Sequence, residues 1–468
     1  MNFIKKNKIY IILGLIIFLG LFIRFLPIFT YLQERPGFRE GVILHSDAKG
    51  YHDMALIFVD NGPEGILYKL NDIYKSAEIP YLTAFRTPAY PVFIYLVYSI
   101  YGIKPLLVLL CQIFLNVMTA FLMFEISVLI FKKNYLALLS AFLYIISPLA
   151  IIYSVSMYAE SFFTFFFTLT IFSFFYAQKK KKLIYFVATG LLLGLTTLIK
   201  PITLYFLPIF FITLIFSEKF SIVNLRKKVI EFCLILFFFF LVLLPWQLRN
   251  YLLFNHYTIS FQQGRELLVW RVGSCIAQSD NLDKELVWSR IQEPYLNIPD
   301  IFVRSKAQQA AAIKYIKDNP VKFARCSLNG AKNFFVTKKM ANNLGIGEKH
   351  EFLESLSSVG MISNYFRHFE FNKQTVDIIS KTYVKFLYLQ YVIIVFGITL
   401  LLKNKQSKSF TIFGILSVLY FMLIAGVDGY FRYRYPVLPI LIILTVSSAW
   451  SIFELFKKMW LRFRKKTD

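Results

Sequence analysis

An acidic and a basic side chain occupy two short motifs near the N-terminus. The first motif, HSDAKGYHDMA at residues 45–55, contains Asp47 and Tyr51. The second, FRTPAYP at residues 85–91, contains Arg86. A carboxylate can accept a proton from a hydroxyl group, and the planar guanidinium of arginine can bind a phosphate through two hydrogen bonds. The two motifs therefore predict chemistry on a phosphate that is carried by a lipid at the membrane surface.

A second acid, Glu160, lies in the segment SMYAES at residues 156–161, at the start of a predicted membrane span. Each acid also has a purely structural explanation. Asp47 could be an N-cap that binds the free amide groups at a helix start, and Glu160 could be a first-turn charge favourable to the helix dipole. Two acids at the same membrane face, far apart in sequence, favour a shared catalytic site.

Six basic residues are predicted at the outer membrane face, although basic residues are favoured on the cytoplasmic side of a membrane protein. Individually they could be structural: Lys200 could complement a helix C-terminus, and the run YFRYRY at residues 430–435 could be an aromatic interfacial anchor. Together they indicate a phosphate-binding ring, because a cation buried near the bilayer needs an anion. The six residues are Arg24, Arg86, Lys200, Arg249, Arg432 and Arg434.

Hydrophobic residues make up 57% of the 468-residue chain, and repeated apolar runs reach the roughly 20 residues that cross a bilayer as a helix. This composition predicts an all-α polytopic membrane protein. The first run is too long for a signal peptide and lacks a small-residue cleavage site, so we predict a retained anchor. A shorter apolar segment, residues 88–102, is predicted to lie in the membrane interface. The ten predicted spans are residues 9–30, 105–131, 135–153, 161–177, 183–199, 201–216, 229–247, 383–402, 410–425 and 436–456.

The formal net charge of +25 could indicate nucleic-acid binding, but the basic residues form short clusters between apolar runs. Such clusters are typical of cytoplasmic loops. No basic face with interleaved aromatic residues remains, which argues against a nucleic-acid partner. With residues 88–102 in the interface, both termini are predicted to be cytoplasmic in a multi-pass protein of the inner or plasma membrane. The clusters lie at residues 132–133, 179–182, 226–228, 403–408 and 457–466.

Two polar regions remain on the external side and divide the chain. Residues 1–247 are predicted to form a transmembrane catalytic module with a first external loop at 31–104. Residues 248–382 are predicted to form an extracytoplasmic module of α or α+β type, and residues 383–468 add the C-terminal spans and a basic tail. Within the extracytoplasmic module, residues 301–318 predict a helix that ends before Asn319-Pro320, because the residue before a proline avoids the α region.

Cysteine and motif content argue against several other kinds of site. Cys275 and Cys326 both lie in the extracytoplasmic module, so a disulfide and two free thiols both remain open. Five scattered histidines and the absence of a Cys-x-x-Cys pair give no metal-ligand spacing. The sequence also lacks a phosphate-cradling glycine loop and a nucleotide-binding fingerprint. An external enzyme without a nucleotide site needs a lipid-carried donor, and no cofactor is predicted.

The ordered set of motifs resembles the GT-C glycosyltransferases of the bacterial protein O-mannosyltransferase-like and aminoarabinose-transferase-like type, over residues 9–456. The resemblance implies transfer of a sugar from a polyprenyl-phosphate donor to an acceptor outside the membrane, with inversion and without a catalytic metal. The acceptor could be a glycan, a lipid or a protein. Beyond the motifs around Asp47, Arg86 and Glu160, the resemblance rests on LIKP at residues 198–201, PWQLRNY at 245–251 and RYRYP at 432–436.

The resemblance also implies roles for individual positions. Asp47 and Glu160 match the acids of the family's first and second external loops, and Arg86 matches the basic residue that contacts the lipid phosphate. The sequence departs from relatives with an Asp-Glu pair in the first loop, since Ala48 follows Asp47, and from those with aspartate at the position of Glu160. The implied substrate-binding residues are Tyr51, Arg86, Lys200, Arg249, Arg432 and Arg434.

Three other functions remain open from the sequence alone: a flippase or transporter, a polymerase or ligase of surface polysaccharide, and a purely structural membrane protein. Transporters usually place charged residues near the midplane of interrupted helices, whereas the centres of these spans are nearly free of charge. A polymerase or ligase would share an external loop and basic residues, but it would not require the paired motifs of the first loop.

Overall fold

The computed structural model describes residues 2–34, 47–62, 82–217, 221–336 and 373–467. All regular secondary structure in these residues is helical, which confirms the predicted all-α class. Two 3-10 helices, Pro201–Thr203 and Phe431–Val437, and one π-helix, Glu266–Gly273, connect α-helices. The α-helices are α1 (Asn2–Glu34), α2 (Asp47–Asn61), α3 (Leu82–Phe85), α4 (Ala89–Tyr101), α5 (Pro105–Phe131), α6 (Asn134–Ile145), α7 (Pro148–Ser154), α8 (Ala159–Lys180), α9 (Leu183–Ile199), α10 (Leu207–Phe216), α11 (Ile222–Phe254), α12 (Gln262–Arg265), α13 (Ser274–Asp280), α14 (Lys284–Leu296), α15 (Ile301–Asp318), α16 (Pro320–Phe335), α17 (Lys373–Lys403), α18 (Lys408–Ala425) and α19 (Leu438–Thr467).

Each of the ten predicted spans corresponds to a helical segment, although two are less regular than predicted. Seven helices of the described residues are long and apolar enough to cross a membrane, and the bent pair α6 and α7 makes an eighth. This pair bends by 56° at Pro148, because proline removes a backbone donor and clashes with the preceding turn. The span predicted at 201–216 begins with a 3-10 turn and becomes α-helical in α10. The shorter apolar helices α9 and α10, of 17 and 10 residues, complete the set.

The spans pack around α5, which contacts α1, α6 and α8, and around α9, which contacts both α8 and α11. The close approach of α9 and α11 depends on glycine, because a Cβ at Gly190 would lie 2.5 Å from the Ile235 carbonyl oxygen. Phenylalanine rings join α8 to α10, as in the pair Phe174 and Phe210, whose centroids lie 4.7 Å apart. This packing fixes the helix ends that carry the candidate site.

The segment predicted to lie in the interface corresponds to α4. At 13 residues, α4 is shorter than the roughly 20 residues needed to cross a bilayer. It packs against α2, and the rings of Tyr51 and Tyr90 meet edge to face with their centroids 4.9 Å apart. The two motif-bearing helices therefore form one unit, while the interfacial position of α4 stays a prediction.

The described part of residues 248–382, called the module below, is helical and contains α12 to α16. Asp300 caps α15 by accepting hydrogen bonds from two backbone amides at 2.8 and 3.0 Å, and α15 spans Ile301–Asp318, as predicted. Cys275 in α13 and Cys326 in α16 form a disulfide, which settles the question that the sequence left open. Both cysteines pack against Val427, in the loop before the second 3-10 helix, so the disulfide supports the junction between the module and the spans.

Candidate active site

Five predicted site residues form one group of alternating charge, called the charge cluster below: Arg86, Asp47, Arg432, Glu160 and Lys200. Arg86 Nη2 lies 2.7 Å from Asp47 Oδ1, and Arg432 Nη2 lies 2.5 Å from Asp47 Oδ2. Arg432 Nε also donates to Glu160 Oε1, which accepts a second hydrogen bond from Lys200 Nζ at 2.7 Å. Arg432 therefore bridges the two acids.

Four members of the charge cluster stand at or next to helix ends. Asp47 and Glu160 occupy the first turns of α2 and α8, where a negative charge is favourable to the helix dipole. Lys200 directly follows α9, and Arg432 lies in the 3-10 helix that precedes α19. Because these ends belong to segments far apart in sequence, the bundle itself assembles the cluster.

Arg86, in the turn between α3 and α4, is held against the end of α9. The neighbouring Thr87 Oγ1 donates a hydrogen bond of 2.9 Å to the Ile199 carbonyl oxygen, which lies at a helix end where carbonyl groups lack helical partners. The Arg86 guanidinium packs on the ring of Tyr51, 4.2 Å from its centroid. A Cβ at Gly50 would lie 3.0 Å from Arg86 Nε, so glycine permits this close approach to α2.

The two acids differ in exposure and in free hydrogen-bonding capacity. The side chain of Glu160 is 1% exposed and that of Asp47 is 26% exposed. Glu160 Oε2 has no hydrogen-bond partner among the described residues, so it could accept a hydrogen bond from a bound hydroxyl group. Burial alone would raise the pKa of Asp47, but the charges of Arg432 and Arg86 hold it well below its usual range. Asp47 is therefore ionised at physiological pH.

Two amide side chains of α5, Gln112 and Asn116, contact the segments next to Glu160 and Arg432 of the charge cluster. Both are fully buried, and their spacing of four residues places them on one helix face. Gln112 Nε2 donates to the carbonyl oxygens of Tyr153 and Ser156, at 3.0 and 2.5 Å. These contacts hold the turn that leads into Glu160.

Asn116 connects the helix of the buried acid to the 3-10 helix of the bridging arginine. Its Nδ2 lies 3.2 Å from Ser161 Oγ and 2.5 Å from the Tyr435 hydroxyl. Ser161 follows Glu160, and Tyr435 lies three residues beyond the bridging arginine. Arg24 Nε donates to Asn116 Oδ1 at 2.9 Å, and Arg24 is fully buried. The described contacts of Arg24 therefore place it in a buried network that supports the site.

The contacts described for Arg249 and Arg434 are with residues outside the charge cluster. Arg249 Nη1 donates to Asn250 Oδ1 at 2.7 Å, and its guanidinium packs on Trp246 at 4.7 Å from the ring centroid. Arg434 Nη1 donates to the Phe335 carbonyl oxygen and, at 3.1 Å, to a tyrosine hydroxyl. A role in phosphate binding for these two arginines stays a prediction.

Gln112 and Asn116 carry a sequence signal that lies outside the motifs. They are polar side chains four residues apart in an otherwise apolar span, and polar groups within a membrane need partners inside the protein. That spacing could have predicted a buried polar column on α5. Glu266, the first residue of the π-helix in the module, carries no comparable signal, because it is one of several acids in a polar region.

The described residues contain no group of three or more histidine, cysteine, aspartate or glutamate side chains that could hold a metal ion. The two acids of the charge cluster are held by basic side chains. A metal-free reaction stays a prediction.

Residues 85–246 match the model of a family described as dolichyl-phosphate-mannose-protein mannosyltransferase. The matched stretch contains Arg86, Glu160 and Lys200 of the charge cluster, while Asp47 and Arg432 lie outside it. No curated protein sequence matches the chain significantly.

The structure is similar to that of the archaeal oligosaccharyltransferase AglB from Archaeoglobus fulgidus. AglB in complex with an inhibitory peptide and a dolichol-phosphate aligns at 15% identity with a TM-score of 0.53, covering 99% of this chain and 52% of AglB. Its apo form aligns at 15% identity with a TM-score of 0.55, covering 99% of this chain and 53% of AglB. The chain thus spans about half the length of AglB.

ArnT from Cupriavidus metallidurans, in the apo state, aligns at 11% identity with a TM-score of 0.34, covering 87% of this chain and 74% of ArnT. This weaker likeness supports no argument. At its low identity, the AglB match establishes the fold alone. Together with the family-model match over residues 85–246, it confirms the polytopic fold and the resemblance to GT-C glycosyltransferases that the motifs indicate.

Proposed function

We propose that the protein is a membrane glycosyltransferase that transfers a sugar from a polyprenyl-phosphate donor to an acceptor on the extracytoplasmic side. The observation that carries this proposal is the charge cluster. Its three basic and two acidic side chains leave one net positive charge, which matches the single negative charge of a phosphodiester. A helix-end site at the membrane level can bind a phosphate while the lipid tail stays in the bilayer.

The names of the similar proteins support a lipid-phosphate donor. The family model is described by a dolichyl-phosphate sugar, and AglB has been solved with a dolichol-phosphate. For this chain, the isoprenoid and the sugar are part of the proposal. The acceptor, a glycan, lipid or protein, would approach from the side of the module, and both termini would lie in the cytoplasm.

The proposed reaction is an inverting displacement at the anomeric carbon. The acceptor oxygen forms a bond to that carbon while the bond from the carbon to the phosphate oxygen breaks, and the polyprenyl phosphate leaves with the electron pair. The acceptor proton passes to Asp47. Arg86, Arg432 and Lys200 would stabilise the negative charge that develops on the leaving phosphate, as preorganised charges do in water-poor sites.

Donor binding would also make Asp47 a stronger base. In the structure, Arg86 and Arg432 hold the pKa of Asp47 low, and a carboxylate with a low pKa accepts a proton poorly. A bound phosphate would compete for the same two guanidinium groups and weaken their hold on Asp47. The pKa of Asp47 would then rise when the donor is bound. Asp47 would therefore accept the acceptor proton more readily when the donor occupies the site.

A transporter is less well supported than an enzyme. The charge cluster gathers at helix ends, whereas transporters usually place their binding charges at interrupted helices near the bilayer midplane. A polymerase or ligase of surface polysaccharide would also be a glycosyl-transferring enzyme, and it differs from the proposal in its donor and acceptor.

Mass spectrometry of a strain that lacks the protein tests the proposed function. We expect polyprenyl-phosphate sugars to accumulate and one surface glycan modification to disappear, with both changes reversed by the wild-type protein. Accumulation of a polyprenyl-diphosphate oligosaccharide would instead indicate a polymerase or ligase. Unchanged lipid-linked sugars and surface glycans would contradict the proposal.

Reporter fusions test the proposed topology. A reporter fused after Gly102 is expected to lie outside the membrane, and one fused after Lys182 is expected to lie in the cytoplasm, because α4 stays in the interface. Periplasmic and cytoplasmic reporter activities give the measurement. If the fusion after Gly102 reports the cytoplasm and the fusion after Lys182 reports the outside, α4 crosses the membrane and is not interfacial.

Replacing Gly50 by alanine is expected to weaken the binding of polyprenyl phosphate about five- to tenfold, because the new Cβ would crowd Arg86 Nε. Titration of the purified protein in nanodiscs gives the affinity. Gly14→Ala is the matched control, since a Cβ there would have no neighbour within 4 Å. An affinity equal to that of the control would show that Arg86 can move aside without loss.

A further inference from the structure

Glu266 is a carboxylate of the module that interacts electrostatically with Asp47 and Arg432 of the charge cluster. It is the first residue of the π-helix Glu266–Gly273, and π-helical segments are rare and frequently occur at functional sites. Its side chain is partly buried. Gln262 Nε2 donates a hydrogen bond of 2.7 Å to Glu266 Oε1, which orients the carboxylate.

The chain segment before the π-helix is attached to the backbone that leads into Arg86. Ser260 Oγ donates a hydrogen bond of 2.6 Å to the Phe85 carbonyl oxygen, and the Phe261 amide donates one of 3.3 Å to the Ala84 carbonyl oxygen. The two carbonyl groups belong to the residues immediately before Arg86. The start of the π-helix is therefore held at a fixed place relative to the charge cluster.

The charges of the cluster act on Glu266 at this place. Burial raises the pKa of Glu266 above its usual value, while Arg271 and Arg432 act to lower it and Asp47 acts to raise it. Asp47 is held by two basic side chains, whereas the hydrogen bond described for Glu266 comes from the neutral amide of Gln262. Glu266 is thus a carboxylate near the proposed proton acceptor that retains capacity for a ligand.

We propose that Glu266 binds the acceptor, by accepting a hydrogen bond from an acceptor hydroxyl group other than the one that attacks the donor. This inference rests on the proposed function and adds the acceptor side of the same site. The transmembrane part would bind the anionic donor through its cations, and the module would bind the acceptor through a carboxylate. A carboxylate repels anions, so the acceptor group that it binds is a neutral hydroxyl rather than a carboxylate or phosphate.

The test compares the acceptor and donor dependence of transfer. The donor is the labelled polyprenyl-phosphate sugar fraction from the strain that lacks the protein, and the acceptor is a washed membrane preparation of the same strain. Glu266→Gln keeps the size of the side chain and can still pair with Gln262, and Glu266→Asp keeps the charge. Glu285→Gln, at an exposed position in the same module, is the matched control.

For Glu266→Gln, we expect half-maximal transfer to need about tenfold more acceptor membrane, because a hydrogen bond to a charged group is lost. Glu266→Asp should show a smaller increase. The donor dependence and the affinity for polyprenyl phosphate should match the wild type in both variants, as in Glu285→Gln.

An unchanged acceptor dependence in Glu266→Gln would overturn the inference, as would an equal change in Glu285→Gln or a change in donor dependence alone. A lower maximal rate at unchanged acceptor dependence would also overturn it, since Glu266 would then act elsewhere in the reaction. Absence of transfer by the wild-type protein would contradict the proposed function itself.

Discussion

Asp47→Asn is expected to reduce glycosyl transfer by about 10²- to 10⁴-fold, the range that a lost general base produces. Asparagine keeps the shape of the side chain and can still accept a hydrogen bond from Arg86, but it cannot take the acceptor proton. Loss of this negative charge also leaves the site more positive. Binding of polyprenyl phosphate should therefore be as tight as in the wild type, or tighter.

Transfer rates and polyprenyl phosphate affinity, measured on the same purified samples, check this prediction. Asp53→Asn is the matched control, because Asp53 lies on the same helix and pairs with the exposed Lys49. Wild-type transfer by Asp47→Asn would return Asp47 to a purely structural role. A loss of both transfer and phosphate binding would indicate that Asp47 organises Arg86 and is not the base.

Arg432→Gln is expected to abolish transfer and to lower stability by about 1–3 kcal/mol. Arg432 contacts both acids, so its removal leaves the fully buried Glu160 with Lys200 as its remaining described partner. A buried carboxylate that loses a charged partner is costly. The loss of transfer, about 10²-fold or more, follows from the missing stabilisation of the leaving phosphate.

The double variant Arg432→Gln/Glu160→Gln separates these two effects. It also removes the described carboxylate partner of the partly buried Lys200, so its thermal midpoint in detergent should lie below that of Arg432→Gln. Transfer should stay absent in both. A double variant that is as stable as Arg432→Gln, or more stable, would show that the ion pair of Glu160 and Lys200 does not stabilise the fold, and recovery of transfer would contradict the role of Arg432.

The positions of the spans could be predicted from the sequence because bilayer thickness sets the length of an apolar helix. The bend at Pro148 and the 3-10 turn before α10 were missed in the predicted spans, since hydropathy measures apolar content and not helix continuity. The predicted bounds of the helix Ile301–Asp318 match the structure. Its C-terminal end could be predicted because Asn319-Pro320 follows it in the local sequence.

The charge cluster could be predicted in part, since the motif residues are predicted to share one membrane face. Which side chains contact each other was not predictable, because those contacts depend on how the helix ends meet. Arg24 illustrates this: it is predicted at the outer end of its span like other basic residues, yet its described contacts belong to the network of Asn116. The position of Glu266 relative to the charge cluster depends on how the π-helix packs against the spans. No local sequence motif predicts this packing.

The binding of a lipid phosphate to Arg86 tests the central claim most directly. Purified wild-type, Arg86→Lys, Arg86→Ala and Lys133→Ala proteins in nanodiscs would be titrated with polyprenyl phosphate and the bound lipid quantified by native mass spectrometry. We expect saturable binding in the wild type and in Lys133→Ala, which changes a predicted cytoplasmic lysine. Arg86→Lys should bind more weakly, because lysine keeps the charge but loses the planar fork, and Arg86→Ala should not bind measurably. Equal binding by all four proteins, or no saturable binding by the wild type, would contradict the account.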